Sequence, residues 1–367
     1  MKFNLKLLVI LIFLGVQLTS CKEASNKTKE SISSSTDRIS QPVIQVAEFK
    51  GQQVTGVSVN QDGRIFVNFP RWRKGVDHSV VELGADNKKA PFPNAEWNSW
   101  EIGEPVVENK FVGVQSVVAF ENKLYVLDTR SALFQNVLDA PHIFVFDLNT
   151  NELIKTYVLS ENSYHANSYI NDLRVDKKKN TIYFTDSGHA GLVALDLISG
   201  ESKRILDNHT STSAEMTSLK FGDKEWKRAI NSDGIALDAT NDQLYYHALT
   251  GYSLFSIPTN TFEIEAEKEI EENITFEGKT AAPDGMLFDN AGNLYFADLE
   301  NNKIQYRKPD GSIHTLTAGD SIKWADSFSI YENYLYFTNS RINEVTADIS
   351  SMTFTLNKIK LPTEQKH

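Results

Sequence analysis

One pattern constrains this chain more than any other: a pair of short strands, the second carrying an aromatic residue, returns six times. The copies begin with Gly56-Val57-Ser58-Val59 followed by Ile65-Phe66-Val67-Asn68, and Gln115-Ser116-Val117-Val118 followed by Leu124-Tyr125-Val126-Leu127-Asp128. Asn171-Asp172-Leu173-Arg174 precedes Ile182-Tyr183-Phe184-Thr185-Asp186, and Ser232-Asp233-Gly234-Ile235 precedes Leu244-Tyr245-Tyr246-His247. The last two are Pro283-Asp284-Gly285-Met286 with Leu294-Tyr295-Phe296-Ala297-Asp298, and Ala325-Asp326-Ser327-Phe328 with Leu335-Tyr336-Phe337-Thr338-Asn339. Further strands fill the intervals, such as His142–Asp147 and Gly191–Asp196, and Asp62-Gly63, Ser199-Gly200 and Asp310-Gly311 supply turns between strands. Six units of about four strands at this spacing predict an all-β fold, a six-bladed β-propeller. A solenoid would repeat at a shorter and more regular period, and two sandwiches would not repeat six times. Each blade must bury its faces on its neighbours, so the sixth closes on the first, and Val43–Phe49 is the candidate closing strand. The expected layout is one propeller domain over residues 41–367, against the two domains that length alone suggests.

The first forty residues read differently. A basic Met1–Lys6 start precedes an apolar run, Leu7–Leu18, too short for a bilayer span of about 20 residues but suited to a secretory leader. Leu18-Thr19-Ser20-Cys21 resembles a bacterial lipobox, so residues 1–20 read as a lipoprotein signal peptide and Cys21 as the lipidation site. The expected address is extracytoplasmic, with a lipid on Cys21 holding the protein to a bacterial membrane. Residues 21–40, rich in Ser, Lys, Thr and Glu, read as a flexible tether. Cys21 is the only cysteine, which excludes a downstream thiol nucleophile, a redox pair and an internal disulfide. With 37 Lys and Arg against 48 Asp and Glu, the chain lacks the basic footprint of a nucleic-acid binder and would attract cations to a suitable cleft. The oligomeric state is left open.

The residues also carry a resemblance. Asp62–Gly75, Pro91–Asn98, Val114–Thr129, Ile143–Tyr157, Tyr183–Leu195 and Asp233–Thr259 together resemble the major royal jelly protein/Yellow family, over roughly residues 56–345. The resemblance implies a secreted six-bladed propeller that binds a small molecule in its axial cavity. Some animal members convert dopachrome, so it also implies a dopachrome-tautomerase-like isomerase activity. The chain departs from the animal pattern in having no paired cysteines.

In a propeller the inner strands line the axis, so the residues opening them converge. Those residues here are Ser116, Asp172, Asp233, Asp284 and Asp326, with Asn171 beside them. Asp172, Asp233 and Asp284 would suit Ca²⁺, and the whole group an aromatic or amine-like ligand. Alternatively each aspartate caps a turn through backbone N–H groups, a reading favoured by the glycines after Asp233 and Asp284. His247 is the candidate general base, or else a hydrogen-bonded core histidine. Arg71 could project over the mouth or form an interblade salt bridge with stacking on Trp72. Trp226, with Trp97 and Trp100, falls in the longer insertions 84–110 and 208–230, which either shape a cavity or pin their loops to the blades. His142, His165 and His189 show no HxH or HxxxH spacing, so no zinc site is expected from them. A metal-assisted lactonase resembling the gluconolactonase group is the alternative function. It is weakened because Val54–Ser58, the first inner strand, carries no Glu.

Overall fold

The structure, a computed structural model, describes residues 41–85 and 88–362. The expected signal peptide, lipidation site Cys21 and tether lie outside the described residues. Six four-stranded antiparallel sheets form the blades. From the axis outward, blade one is Gly56–Val59, Ile65–Asn68, Val80–Leu83 and Lys89–Pro91, and blade two is Val114–Phe120, Lys123–Asp128, His142–Asp147 and Leu153–Val158. Blade three is Ile170–Asp176, Thr181–Asp186, Gly191–Asp196 and Ser202–Ile205. Blade four is Ser232–Asp238, Gln243–Ala248, Ser253–Pro258 and Thr275–Lys279. Blade five is Met286–Phe288, Leu294–Asp298, Lys303–Arg307 and Ile313–Ala318.

Blade six is composite. Ala325–Tyr331, Tyr334–Asn339 and Thr353–Lys360 come from the C-terminal end, and the outermost strand, Ile44–Lys50, comes from the start of the described chain. Phe49 stands opposite Phe354 across this joint. The expected closing strand is therefore found where the repeat requires it. Consecutive inner strands pack on one another, and the sixth packs on the first, which completes the ring.

The repeated aromatic residues explain why the sheets stack. Phe66, Tyr125, Tyr183, Tyr295 and Tyr336 are buried in the clusters between or within blades. Tyr245 is less covered and meets Phe288 of the next blade edge-on, with centroids 5.0 Å apart. Phe66 and Phe92 of the blade-one region join Phe144 and Phe146 of blade two in one apolar cluster. Among the described residues, helix is confined to one α-helix, Glu267–Glu272, and short 3₁₀ turns. No described helix is long and apolar enough to cross a membrane. A two-stranded hairpin, Leu219–Phe221 with Lys224–Trp226, stands outside the blades in the 206–231 insertion.

Candidate functional site

The inner strands do not begin as regular ladders. Their pairing with the second strand slips between Val114 and Ser116, Ile170 and Leu173, Ser232 and Gly234, and Ala325 and Phe328. A bulge of this kind frees a residue from the ladder and re-aims its side chain. The freed residues are Gln115 in blade two, Asn171 and Asp172 in blade three, Asp233 in blade four, and Asp326 and Ser327 in blade six. In blade five, Asp284 lies just before the short inner strand.

These side chains meet at the axis in a continuous relay. Trp72 Nε1 donates to Tyr169 Oη at 2.5 Å, and Tyr169 Oη donates to Gln115 Oε1 at 2.7 Å. Gln115 Nε2 donates to Asn171 Oδ1 at 2.9 Å, and Asn171 Nδ2 donates to Asp233 Oδ1 at 2.7 Å. Asp233 and Asp284 share a hydrogen bond, and Trp324 Nε1 donates to Asp284 Oδ2 at 2.6 Å. Asp326 lies within electrostatic reach of both aspartates. Blade one contributes Asn68, whose Nδ2 donates to Gln115 O at 3.0 Å.

Ser116 and Asp172 pair with each other beside the relay: Ser116 Oγ donates to Asp172 Oδ1 at 2.7 Å, Arg174 Nη1 donates to Asp172 Oδ2 at 2.8 Å, and the Asp172 charge reaches Asp233, Asp284 and Asp326. Asp172 also accepts from Leu173 N, so it is a paired carboxylate and not an open ligand. Arg174 reaches over blade four to donate to Met286 O of blade five at 2.6 Å, so its guanidinium lies across the axis. Its Nε is buried without a hydrogen-bond partner. Gln115, and not Ser116, holds the relay position in blade two; the one-residue bulge that puts it there has no marker in the local pattern.

The glycines after Asp233 and Asp284 have a reason other than turn formation. A Cβ on Gly285 would stand 2.4 Å from Asp326 O, and one on Gly234 would stand 2.7 Å from Met286 Sδ. At Gly285 the neighbouring inner strand's backbone approaches too closely for any side chain, whereas at Gly234 the Met286 side chain would have to shift.

His247 lies apart from the relay. It is fully buried, with Nδ1 at 2.7 Å from Ala248 O and Nε2 at 3.0 Å from Thr280 Oγ1. Burial lowers its pKa to about 4, so it is neutral at pH 7 and none of its hydrogen bonds is to an axial carboxylate. Arg71 is likewise turned inward and does not project over the mouth. Its guanidinium is buried, donates to Ser79 Oγ, Phe111 O and Asn98 O, and lies over the Trp100 ring at 5.5 Å. Burial lowers its pKa to about 10. Trp97 packs among Phe111, Phe144 and Phe146, as an anchor would. Trp226 meets Trp324 edge-on at 5.0 Å, so the hairpin is pinned directly behind the Asp284 donor.

An aromatic shelf adjoins the relay. Trp72 stacks on Phe134 at 5.1 Å, and Phe134 contacts Tyr169 at 5.6 Å. Phe134 is 63% exposed, and it and Leu133 sit at φ 54° and 60°. That backbone region is costly for such side chains and is found where surroundings hold a functional loop. Two surface clefts lie elsewhere. One of 290 Å³ is bordered by Lys179, Tyr183 and Phe262, and one of 440 Å³ by Tyr252, Lys279 and Glu300; neither is lined by a relay residue.

The electrostatics of the axial cluster follow from its burial. Burial first, then the Asp284 charge, pushes Asp233 well above the usual carboxylate range. Burial likewise raises Asp284 to about 7, and burial with the Asp284 charge raises Asp326. A carboxyl group whose folded pKa lies above its unfolded value makes the native state bind more protons than the unfolded chain. Its contribution is thus full below about pH 4 and is lost as pH rises through about 7. Asp284→Asn is expected to flatten the fall in stability between pH 4 and 7, where every tenfold difference in proton affinity between the folded and unfolded chain is worth about 1.4 kcal/mol. Urea denaturation of both proteins at several pH values checks this, and parallel pH profiles would refute it.

A profile of the major royal jelly protein family matches residues 114–364. The chain belongs to the major royal jelly protein family. Among relatives of this royal jelly-family propeller, protein Yellow of Drosophila erecta is 28% identical over 172 residues, 43% of this chain and 31% of that protein. Major royal jelly protein 3 of Apis mellifera is 22% identical over 236 residues, 59% of this chain and 42% of that protein. The match thus spans less than half the length of either relative. Among solved structures, a luciferin-regenerating enzyme aligns over 88% of this chain and 98% of its own, with a TM-score of 0.56 at 12% identity. A gluconolactonase from Xanthomonas campestris aligns over 89% and 99%, with a TM-score of 0.52 at 13% identity. At such identities the likeness is one of fold alone.

Proposed function

We propose that this royal jelly-family propeller is an exported protein, anchored by a lipid on Cys21, that binds a small aromatic amine at its axial mouth. The observation that carries the binding reading is the placement of Asp233, Asp284 and Asp326 together in a buried site that Asn171, Gln115 and Tyr169 join to the Trp72–Phe134 ring pair. Buried like charges cannot all ionise without a counter-charge, and an ammonium group supplies one. The Trp72–Phe134–Tyr169 shelf offers the ring of such a ligand a face to stack on. Isothermal titration with phenethylamine and with its neutral isostere, phenethyl alcohol, tests the reading. The amine is expected to bind at least about tenfold more tightly, and Asp233→Asn to remove most of that preference, about 1.4 kcal/mol per tenfold. Equal affinity for the two compounds would rule it out.

One observation favours a second reading, a dopachrome-tautomerase-like isomerase. Asp233 and Asp284 share a proton near neutral pH, so one is an acid while the other is a base. Such a pair can take a proton from one position of a cyclic quinone-like compound and return one at another. In this reading His247 has no part. The lactonase alternative, which would place a cation such as Ca²⁺ on the aspartates, ranks lower. Asp172 is engaged by Arg174, and the first inner strand, Gly56–Val59, brings no carboxylate.

A further inference from the structure

The histidines that show no metal spacing in sequence come together in space. His165 lies in the loop that leads into the inner strand of blade three, and His189 lies in the turn after its second strand. Because Ile170 pairs with Asp186, both loops emerge at the same end of the blade as the axial relay. The two imidazoles stack with centroids 3.7 Å apart. Asp207, just beyond the fourth strand, completes the group: its Oδ1 is 3.0 Å from His165 Nε2 and 3.5 Å from His189 Nε2. One ligand atom from each of the three residues lies within 4.8 Å of the others.

We infer that His165, His189 and Asp207 form a site for a borderline divalent cation of the Zn²⁺ class, separate from the axial carboxylates. Two ligands each about 2.0–2.1 Å from a tetrahedral ion stand about 3.3 Å apart, which lies between the 3.0 and 3.5 Å that separate Asp207 Oδ1 from the two imidazole nitrogens. Two imidazole nitrogens and one carboxylate oxygen are a donor set that suits Zn²⁺ better than Ca²⁺. The outer contacts are those of a metal-binding histidine. His189 Nδ1 lies 3.0 Å from Asn167 Oδ1, an acceptor that fixes the proton on Nδ1 and makes Nε2 the lone-pair nitrogen. Asn208 Nδ2 is 2.8 Å from that lone pair and is the group an ion would displace. Arg204 is buried and donates to Asp207 Oδ1, Asp186 Oδ2 and the carbonyls of His189 and Ala190. It thereby ties the carboxylate and the His189 turn to one rigid support, while its charge moderates the affinity. Three protein ligands leave a fourth position for water or an outside ligand.

The test is titration of the purified full chain with Zn²⁺ alone, read by calorimetry and by the visible absorption of a tetrahedral Co²⁺ adduct. One ion per chain is expected. His165→Ala, which alters a side chain 40% exposed and should leave the fold intact, is expected to weaken binding at least tenfold, as is His189→Ala. Asn167→Ala, acting through His189, is expected to weaken it by about tenfold. His314→Ala, on blade five, is expected to bind as the parent does. Absence of binding by the parent, undiminished binding by both His165→Ala and His189→Ala, or an equal loss in His314→Ala would each overturn the assignment. None of these readouts depends on an amine or on the axial aspartates.

Discussion

Phe49→Ala is expected to lower the unfolding free energy by about 3–5 kcal/mol, the cost of removing a large aromatic side chain from a packed core. Phe49 is 2% exposed and meets Phe69 edge-on at 5.1 Å. It sits in one cluster with Val54 and Val57 from the blade-one side and Phe354 and Leu356 from the last strand. The substitution therefore strikes the joint where the first and last described strands are held together without a covalent link. Urea denaturation reads the effect as a fall in midpoint at constant slope. Glu48→Ala on the exposed face of the same strand is the control, expected within about 0.5 kcal/mol of the parent. A loss below about 1 kcal/mol for Phe49→Ala would mean that the joint contributes little to closure.

Trp324→Ala is expected to cost a similar amount, about 3–5 kcal/mol, and, unlike Phe49→Ala, to alter the axial site. Trp324 is 1% exposed, stacks on Phe221 at 5.6 Å and meets Trp226 edge-on. Its φ of 62° is unusual for a bulky residue, so the surrounding packing must hold it there. Burial is the main cause of the raised Asp284 pKa, and the Trp324 hydrogen bond opposes it. Without that donor Asp284 should titrate higher still. Trp324→Phe separates the two roles, because it keeps most of the apolar contact and removes only the Nε1–H donor. It is expected to cost about 1.5–3 kcal/mol, the range for a hydrogen bond to a charged group. Denaturation curves give the change in stability, and carbon NMR titration of the Asp284 carboxyl gives the change in its pKa. An Asp284 titration unchanged in Trp324→Phe would show that the indole has no hold on the site.

The fold was legible because its determinants are local and repeated. Alternating strands, an aromatic residue in each second strand and Gly or Asp turns each fit a half-buried sheet, and six copies leave few ways to cover every face. The closing strand was legible for the same reason: Val43–Phe49 carries strand periodicity and no partner nearby in sequence. Asp233, Asp284 and Asp326 were also readable as openers of inner strands. Which neighbour joins them was not. Gln115 rather than Ser116, and Asn171 rather than Asp172, reach the relay because a bulge shifts the facing of the strand by one residue, and a slip of one inverts every side chain. Arg71 and His247 carry the chemistry of a site but spend it on backbone carbonyls and a buried hydroxyl, a choice made by loops that fold back from distant segments. His165, His189 and Asp207 share no sequence spacing at all. Only strand register brings their three loops to one end of blade three, because pairing fixes positions across the sheet that chain separation leaves free.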